Sequence, residues 1–321
     1  MRNIQIDLFK GILVILMVTS HVIQFLHVDV SSLNVFTTYV DLTTFSGFLF
    51  AYGYASDRAY FSKDFNDVRS KMIKAVFKLL IAFYISGFAF YFLVLKGLNS
   101  NVDPINILLL NNIPMYSEFL ASFVILIFTS IILFPVLKKL NPLTIKILVL
   151  ISFIMCFFPY AIVKSELIGL FIGSMSYFSF PVVQYFPYFI AGIYTSNNEL
   201  KSNYKIWGLT LFAFALYVIH YILHDKVPPR FPPSLLWITG SSIFIYAYYI
   251  LSKAMCNHKL AYYIIQVGQK SLLYLLMSNL VLFSLFLKYQ GTLNLFECII
   301  VTILMIVGIE YLASISGRKH V

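Results

Sequence analysis

In the stretch DLFKGILVILMVTSHVIQF, positions 7–25, an acid (Asp7), a cation (Lys10) and an imidazole (His21) interrupt a run otherwise apolar enough to enter a bilayer. Neutral imidazole near pH 7 can take a proton from a hydroxyl, which is what general-base catalysis requires. On an α-helix the eleven residues from Lys10 to His21 rise about 16 Å and complete close to three turns. The two side chains therefore share a face, and Asp7 lies near the same stripe. Ionisable groups inside a span cost roughly 2.5–3.5 kcal/mol each, so they face a cavity or a partner. Lys10, near one end, can extend its stem to the headgroups. His21, around the bilayer midplane or just beyond, cannot. The stripe indicates a wet cavity along the helix. A hydrogen-bonded structural histidine is the competing reading.

Other polar residues invite the same weighing. Asp41 in TTYVDLTTFSGFLFAYGY and Glu118 in MYSEFLASF read either as helix-end residues in the interface or as substrate-binding groups. His220 and His224 are four apart on one face; such a pair can chelate metal, but no third ligand matches it, so no metal site is expected. Glu310 is expected at the cytoplasmic interface. The segment SDRAYFSKDFNDVRSKMIKAVFK mixes cations with aromatics, which suits lipid headgroups or a phosphate-rich cytosolic cofactor gripped by Arg58 and Arg69. In HDKVPPRFPPS, positions 224–234, four prolines stiffen a segment that carries His224 and Arg230 as candidate substrate contacts.

The elements that must hold these residues are membrane helices. The chain has 321 residues, 60% hydrophobic and only 11% charged, too little charge for a soluble protein of this size. About ten apolar runs, roughly 8–28, 34–56, 72–95, 115–137, 143–163, 178–196, 205–223, 234–252, 270–288 and 293–314, are long enough to span a bilayer. The expected fold is an all-α polytopic membrane protein in which residues 1–321 form one integral-membrane domain. The first run is too long for a signal-peptide core and lacks a cleavage pattern, so it reads as a span. The net charge of +10 is spread between apolar runs, where it sets topology; no nucleic-acid partner is expected. With the N-terminus cytoplasmic, the internal segments collect Arg58, Lys63, Arg69, Lys71, Lys74, Lys138, Lys139, Lys146, Lys201, Lys205, Lys253, Lys259, Arg318 and Lys319. The external ones keep Lys96, Lys164, Lys226, Arg230 and Lys288, which places both termini in the cytoplasm. Cys156, Cys256 and Cys298 sit in or beside apolar runs and read as small core hydrophobes.

Taken together, these motifs resemble the acyltransferase-3 family of multi-pass membrane O-acyltransferases, which O-acetylate bacterial polysaccharides. DLFKG…SH looks like its opening pattern, and FSGFLFAYGY is similar to its second-span signature. The run R…KMIKAVFKLLIAFYISG, then FPYFIAGIY at 186–194 and VGQKSLLYLL at 267–276, follow in the family's order. Three departures stand out. The family's usual arginine is Lys10, which keeps the charge and loses the bidentate fork. Its usual Trp-Phe pair is Ser117-Glu118-Phe119. Its late histidine is Ser278, with Asn279 beside it, leaving His21 as the main base.

The resemblance implies transfer of an acetyl group from cytosolic acetyl-CoA to a hydroxyl of a cell-surface polysaccharide or lipid-linked sugar precursor, in the cell membrane. His21 would act as base or acyl carrier, assisted by Asp7. Lys10 would face the thioester oxyanion or a CoA phosphate, and Arg58 and Arg69 would grip phosphates. Asp41, Glu118, His224 and Arg230 would meet the acceptor. The lipid bilayer is the obligatory surrounding, and a homo-oligomer is compatible with all of this. The rival readings are a transporter or flippase for a lipid-linked sugar, with His21 as proton relay, and a structural subunit of a glycan-export complex.

Topology is directly measurable. Tags at both termini should be reached only from the cytoplasm, and a probe within 224–234 should be labelled from outside intact cells. Labelling of that loop only after permeabilisation would invalidate the span count.

Overall fold

A computed structural model of the chain describes residues 3–98 and 103–318; Lys319, assigned above to the internal tail, lies outside them. Among the described residues the only regular elements are helices, beside two isolated β-bridges. In chain order the α-helices are α1 (Ile4–Leu26), α2 (Asn34–Ser56), α3 (Phe65–Phe90), α4 (Pro104–Leu108), α5 (Glu118–Ile132), α6 (Phe134–Lys138), α7 (Pro142–Met155) and α8 (Glu166–Ile172). They continue as α9 (Val182–Asn197), α10 (Tyr204–His224), α11 (Leu235–Gly240), α12 (Ser242–Met255), α13 (Ala261–Gln269), α14 (Ser271–Tyr289) and α15 (Leu295–Arg318).

A helix occupies each of the ten apolar runs, but among the described residues six segments are long and apolar enough to cross a membrane: Ile4–Leu26, Phe65–Leu95, Tyr204–His224, Leu235–Met255, Ser271–Tyr289 and Leu295–Ile315. The other four fall short for identifiable reasons. Helix α2 is 23 residues long but carries Thr37, Thr38, Asp41, Thr43, Thr44 and Ser46. Helices α5, α7 and α9 have 15, 14 and 16 residues, and α9 contains Pro187. At 1.5 Å per residue such helices reach about 21–24 Å, against about 30 Å of hydrocarbon.

The chain divides into two compact units, one of 1–44, 88–102 and 251–321, the other of 45–87 and 103–250. In the first unit α1 is the central element. It packs against α13, α14 and α15, and Phe9, Leu13, Val14, Val18 and Val22 are completely covered. Its span is 67% buried, the most of the six, whereas α10 in the other unit is 11% buried and presents most of its surface outward.

The contact that organises this unit was missed in the sequence, where 253–269 reads as a loop. Residues 261–269 form α13, whose Ala261 and Ile265 bury against Leu8 of α1. The two helices run antiparallel with their backbones touching. A Cβ built on Gly11 would lie 2.0 Å from the Ile264 carbonyl oxygen, and one on Gly268 only 1.8 Å from that of Asp7. Only glycine fits at such an approach, the device by which membrane helices gain van der Waals contact. At the other end of α1, Leu293 N–H donates to the Leu26 carbonyl (2.9 Å) and Val28 N–H to the Leu293 carbonyl (2.8 Å). This holds the α14–α15 connection there, so α14 runs parallel to α1 and α15 antiparallel.

The second unit repeats the glycine device. Cβ atoms on Gly53 of α2 and Gly192 of α9 would each lie 2.0 Å from a carbonyl oxygen, of Phe189 and Phe50 respectively. Its core is aromatic: Phe45 stacks on Phe180 at 4.4 Å and meets Tyr185 edge-on at 4.7 Å. On its polar surface Lys138 Nζ lies 2.6 Å from Asp64 Oδ1. That hydrogen bond and the lysine's charge hold the Asp64 carboxyl below its usual range, so the pair's contribution is present at neutral pH and fades as the carboxylate is protonated.

Two glycines separate packing from propensity. Gly268→Val must push α13 off α1 and should lower the melting temperature in detergent by the equivalent of at least about 1–3 kcal/mol, the usual cost of overpacking. Gly308→Ala in α15, where a Cβ meets nothing within 4 Å, should be neutral or stabilising by about 0.5–1 kcal/mol. Equal behaviour of the two variants would refute the close crossing.

Candidate functional site

Helix α1 starts where Asn3 caps it, its side-chain oxygen accepting from Ile6 N–H at 3.2 Å. Asp7 falls in the first turn, where the helix dipole favours an anion. Lys10 Nζ pairs with Asp7 Oδ1 at 2.8 Å; the aspartate side chain is 4% exposed and the lysine 22%. The carboxylate is thus enclosed, while the lysine keeps part of its surface exposed. A charge this enclosed persists only with such a partner.

His21 is half-buried, five residues before the end of α1, in the half of the helix away from the ion pair. The helix is unbroken between them, so the separation of about 16 Å along the axis stands. Ser20 beside it is buried and accepts from Gln24 Nε2 at 3.3 Å. On α14, which packs along α1, Ser278 and Asn279 are also buried. Their region is polar in a helix that is otherwise leucine-rich.

The other candidate residues fall into different places. Asp7, Lys10, His21 and Asp41 belong to the first unit; Arg58, Arg69, Glu118, His224 and Arg230 belong to the second. Asp41 is the eighth residue of α2, two turns inside it, which corrects the reading of it as a helix-end residue. Glu118 is the first residue of α5, where its charge complements the dipole. Ser117 before it is buried and bonds Ser86 Oγ at 2.9 Å. Arg58 donates through Nε to Ser196 Oγ and through Nη2 to the Ser196 carbonyl, both at 2.9 Å, at the C-terminal turn of α9. Asp57 accepts from Asn197 Nδ2 at 3.1 Å, so two adjacent residues tie the end of α2 to α9. Arg69 is exposed on α3.

The proline-rich segment is shaped, as expected. Ser234 N–H donates to the Pro229 carbonyl at 2.9 Å, and the Arg230 guanidinium lies 4.5 Å from the centre of the Phe231 ring and 5.1 Å from that of Phe180. His224 ends α10, exposed, with its ring 4.6 Å from that of His220. Among the described residues no three His, Cys, Asp or Glu side chains gather to hold a metal. Glu310, expected at the cytoplasmic interface, is engaged by Lys270 and Tyr274. Neither partner was singled out in the sequence, although both lie in VGQKSLLYLL.

The two arginines should behave differently. Arg58→Ala removes two charge-assisted hydrogen bonds and should destabilise by about 1.5–3 kcal/mol, read as an earlier melt. Arg69→Ala should stay within about 0.5 kcal/mol. If both melt like the parent, Arg58 does not anchor α9.

No family model, no curated protein and no solved structure matches this chain.

Proposed function

We propose that this protein is a multi-pass O-acetyltransferase of the cell membrane, with about ten spans and both termini in the cytoplasm. It would transfer acetyl from cytosolic acetyl-CoA to a hydroxyl of a cell-surface polysaccharide or a lipid-linked sugar. The observation that carries this reading is the arrangement along α1. The most enclosed of the six apolar spans keeps a lysine and a histidine three turns apart on one face.

Two groups about 16 Å apart cannot act on the same reacting atom. Of the two roles open to Lys10, the phosphate contact is therefore favoured over the oxyanion. The extended pantetheine arm of coenzyme A has a reach comparable to about three helical turns, so phosphates held at Lys10 would leave the thioester within reach of His21. His21 would then take the proton from the acceptor hydroxyl as the oxygen attacks the thioester carbonyl. As the C–S bond breaks, the coenzyme leaves as thiolate and the proton passes from His21 to sulfur. The buried Asp7 carboxylate holds Lys10 in place. Asp41, in the same unit as His21, is retained as an acceptor contact.

Labelled acetyl transfer from acetyl-CoA in purified membranes tests the reading. His21→Ala should reduce transfer by on the order of 10²–10⁴-fold while leaving insertion intact. Lys10→Arg should keep much of the activity and Lys10→Ala should lose it. A His21→Gln variant turning over like the parent would mean that the imidazole serves only as a hydrogen-bonding group, and the transporter reading would take precedence.

A further inference from the structure

A second lysine stands at the same end of the first unit as Lys10. Lys270 occupies the break between α13 and α14, and its Nζ lies 2.5 Å from Glu310 Oε1 on α15. The other oxygen of that carboxylate accepts from the Tyr274 hydroxyl at 2.9 Å, and Tyr274 itself is completely covered. The backbone brings the two lysines into one neighbourhood. Gly268, two residues before Lys270, is pressed against the Asp7 carbonyl and the Gly11 N–H, the residues that flank Lys10.

Both lysines combine a counter-ion with partial exposure. The Lys10 side chain is 22% exposed and that of Lys270 is 30% exposed. Asp7 beneath Lys10 is 4% exposed, and the Tyr274 hydroxyl fixes one oxygen of Glu310. Asp7 is thus enclosed and Glu310, itself 36% exposed, is tied by the Tyr274 hydroxyl, while each ammonium keeps donors that an outside anion can use. An ammonium offers three N–H donors in rotatable positions, and a lone carboxylate oxygen satisfies one of them.

We propose that Lys10 and Lys270 together hold one phosphorylated group, the diphosphate or ribose phosphate of the coenzyme A donor, with Asp7 and Glu310 as their resting counter-ions. The inference rests on the acetyltransferase reading and adds to it a binding residue from the start of α14.

The test uses the full-length protein in detergent and measures KM and kcat for acetyl-CoA, equilibrium binding of coenzyme A, and thermal stability. Lys270→Ala should raise KM for acetyl-CoA about tenfold more than it lowers kcat, and weaken coenzyme A binding by a similar factor. Glu310→Gln, which removes the counter-ion and frees the Lys270 ammonium, should lower KM for acetyl-CoA. A purely structural ion pair predicts another pattern: both variants melt earlier alike, KM holds in both, and the exchanged pair Lys270→Glu with Glu310→Lys restores the parent's behaviour. That pattern overturns the proposal. A parent that transfers acetyl, beside a Lys270→Ala variant with unchanged KM, sinks this inference and leaves the acetyltransferase reading standing. A parent that neither transfers acetyl nor binds coenzyme A removes both.

Discussion

The approach of two backbones, α1 against α13, is the constraint on which the first unit depends. A helix surrounded by lipid gains little from burying one more leucine, because lipid tails are as apolar as the leucine. What it gains is close van der Waals contact, and Gly11 and Gly268 provide this by letting each helix reach the other's carbonyl oxygens. Once that crossing is set, the end of α13 is fixed beside Asp7, the chain turns at Lys270, and α14 starts back alongside α1. One of the two ion pairs follows from this geometry. Asp7–Lys10 needs only the turn of one helix, but Lys270–Glu310 forms because α13 delivers Lys270 where α15 ends its pass.

The same arrangement sorts the polar groups by depth. The two ion pairs stand at one end of the unit, while His21, Ser20, Ser278 and Asn279 lie further along α1 and α14. An unbroken helix acts as a ruler between these zones, because its rise per residue leaves no slack. In the second unit the equivalent crossing of Gly53 and Gly192 supports an aromatic core, and Arg58 is committed to the end of α9. An arginine chosen for its charge alone is thus an anchor of the fold as well.

What the sequence revealed was what is local in it. The apolar runs, the shared face of Asp7, Lys10 and His21, and the stiff segment at 224–234 depend on composition, helical period and proline. A helix stands at each run, six of them with the length and composition of a span among the described residues, and the segment at 224–234 is shaped as expected. The length criterion failed for α5, α7 and α9, because an apolar run includes flanking residues that fold as turns and short helices such as α6. Helix α13 was hidden because its buried stripe of Ala261, Ile265 and Gly268 is short and flanked by the polar Asn257, His258 and Lys259. Its spacing of four and three residues was the available signal. The bonds of Arg58 to Ser196 and of Lys270 to Glu310 join residues 138 and 40 positions apart, which no local pattern encodes.

The enclosure of α1 has a consequence for biosynthesis. Its covering helices, α13 to α15, lie more than 230 residues downstream. At about 5–20 residues per second, the ribosome delivers them on the order of ten seconds to a minute after α1 has entered the bilayer. Throughout that interval α1 lacks the helices that pack against it in the finished protein. The nascent helix is therefore a natural client for the insertion machinery, which must shelter this one span until the last helices close over it.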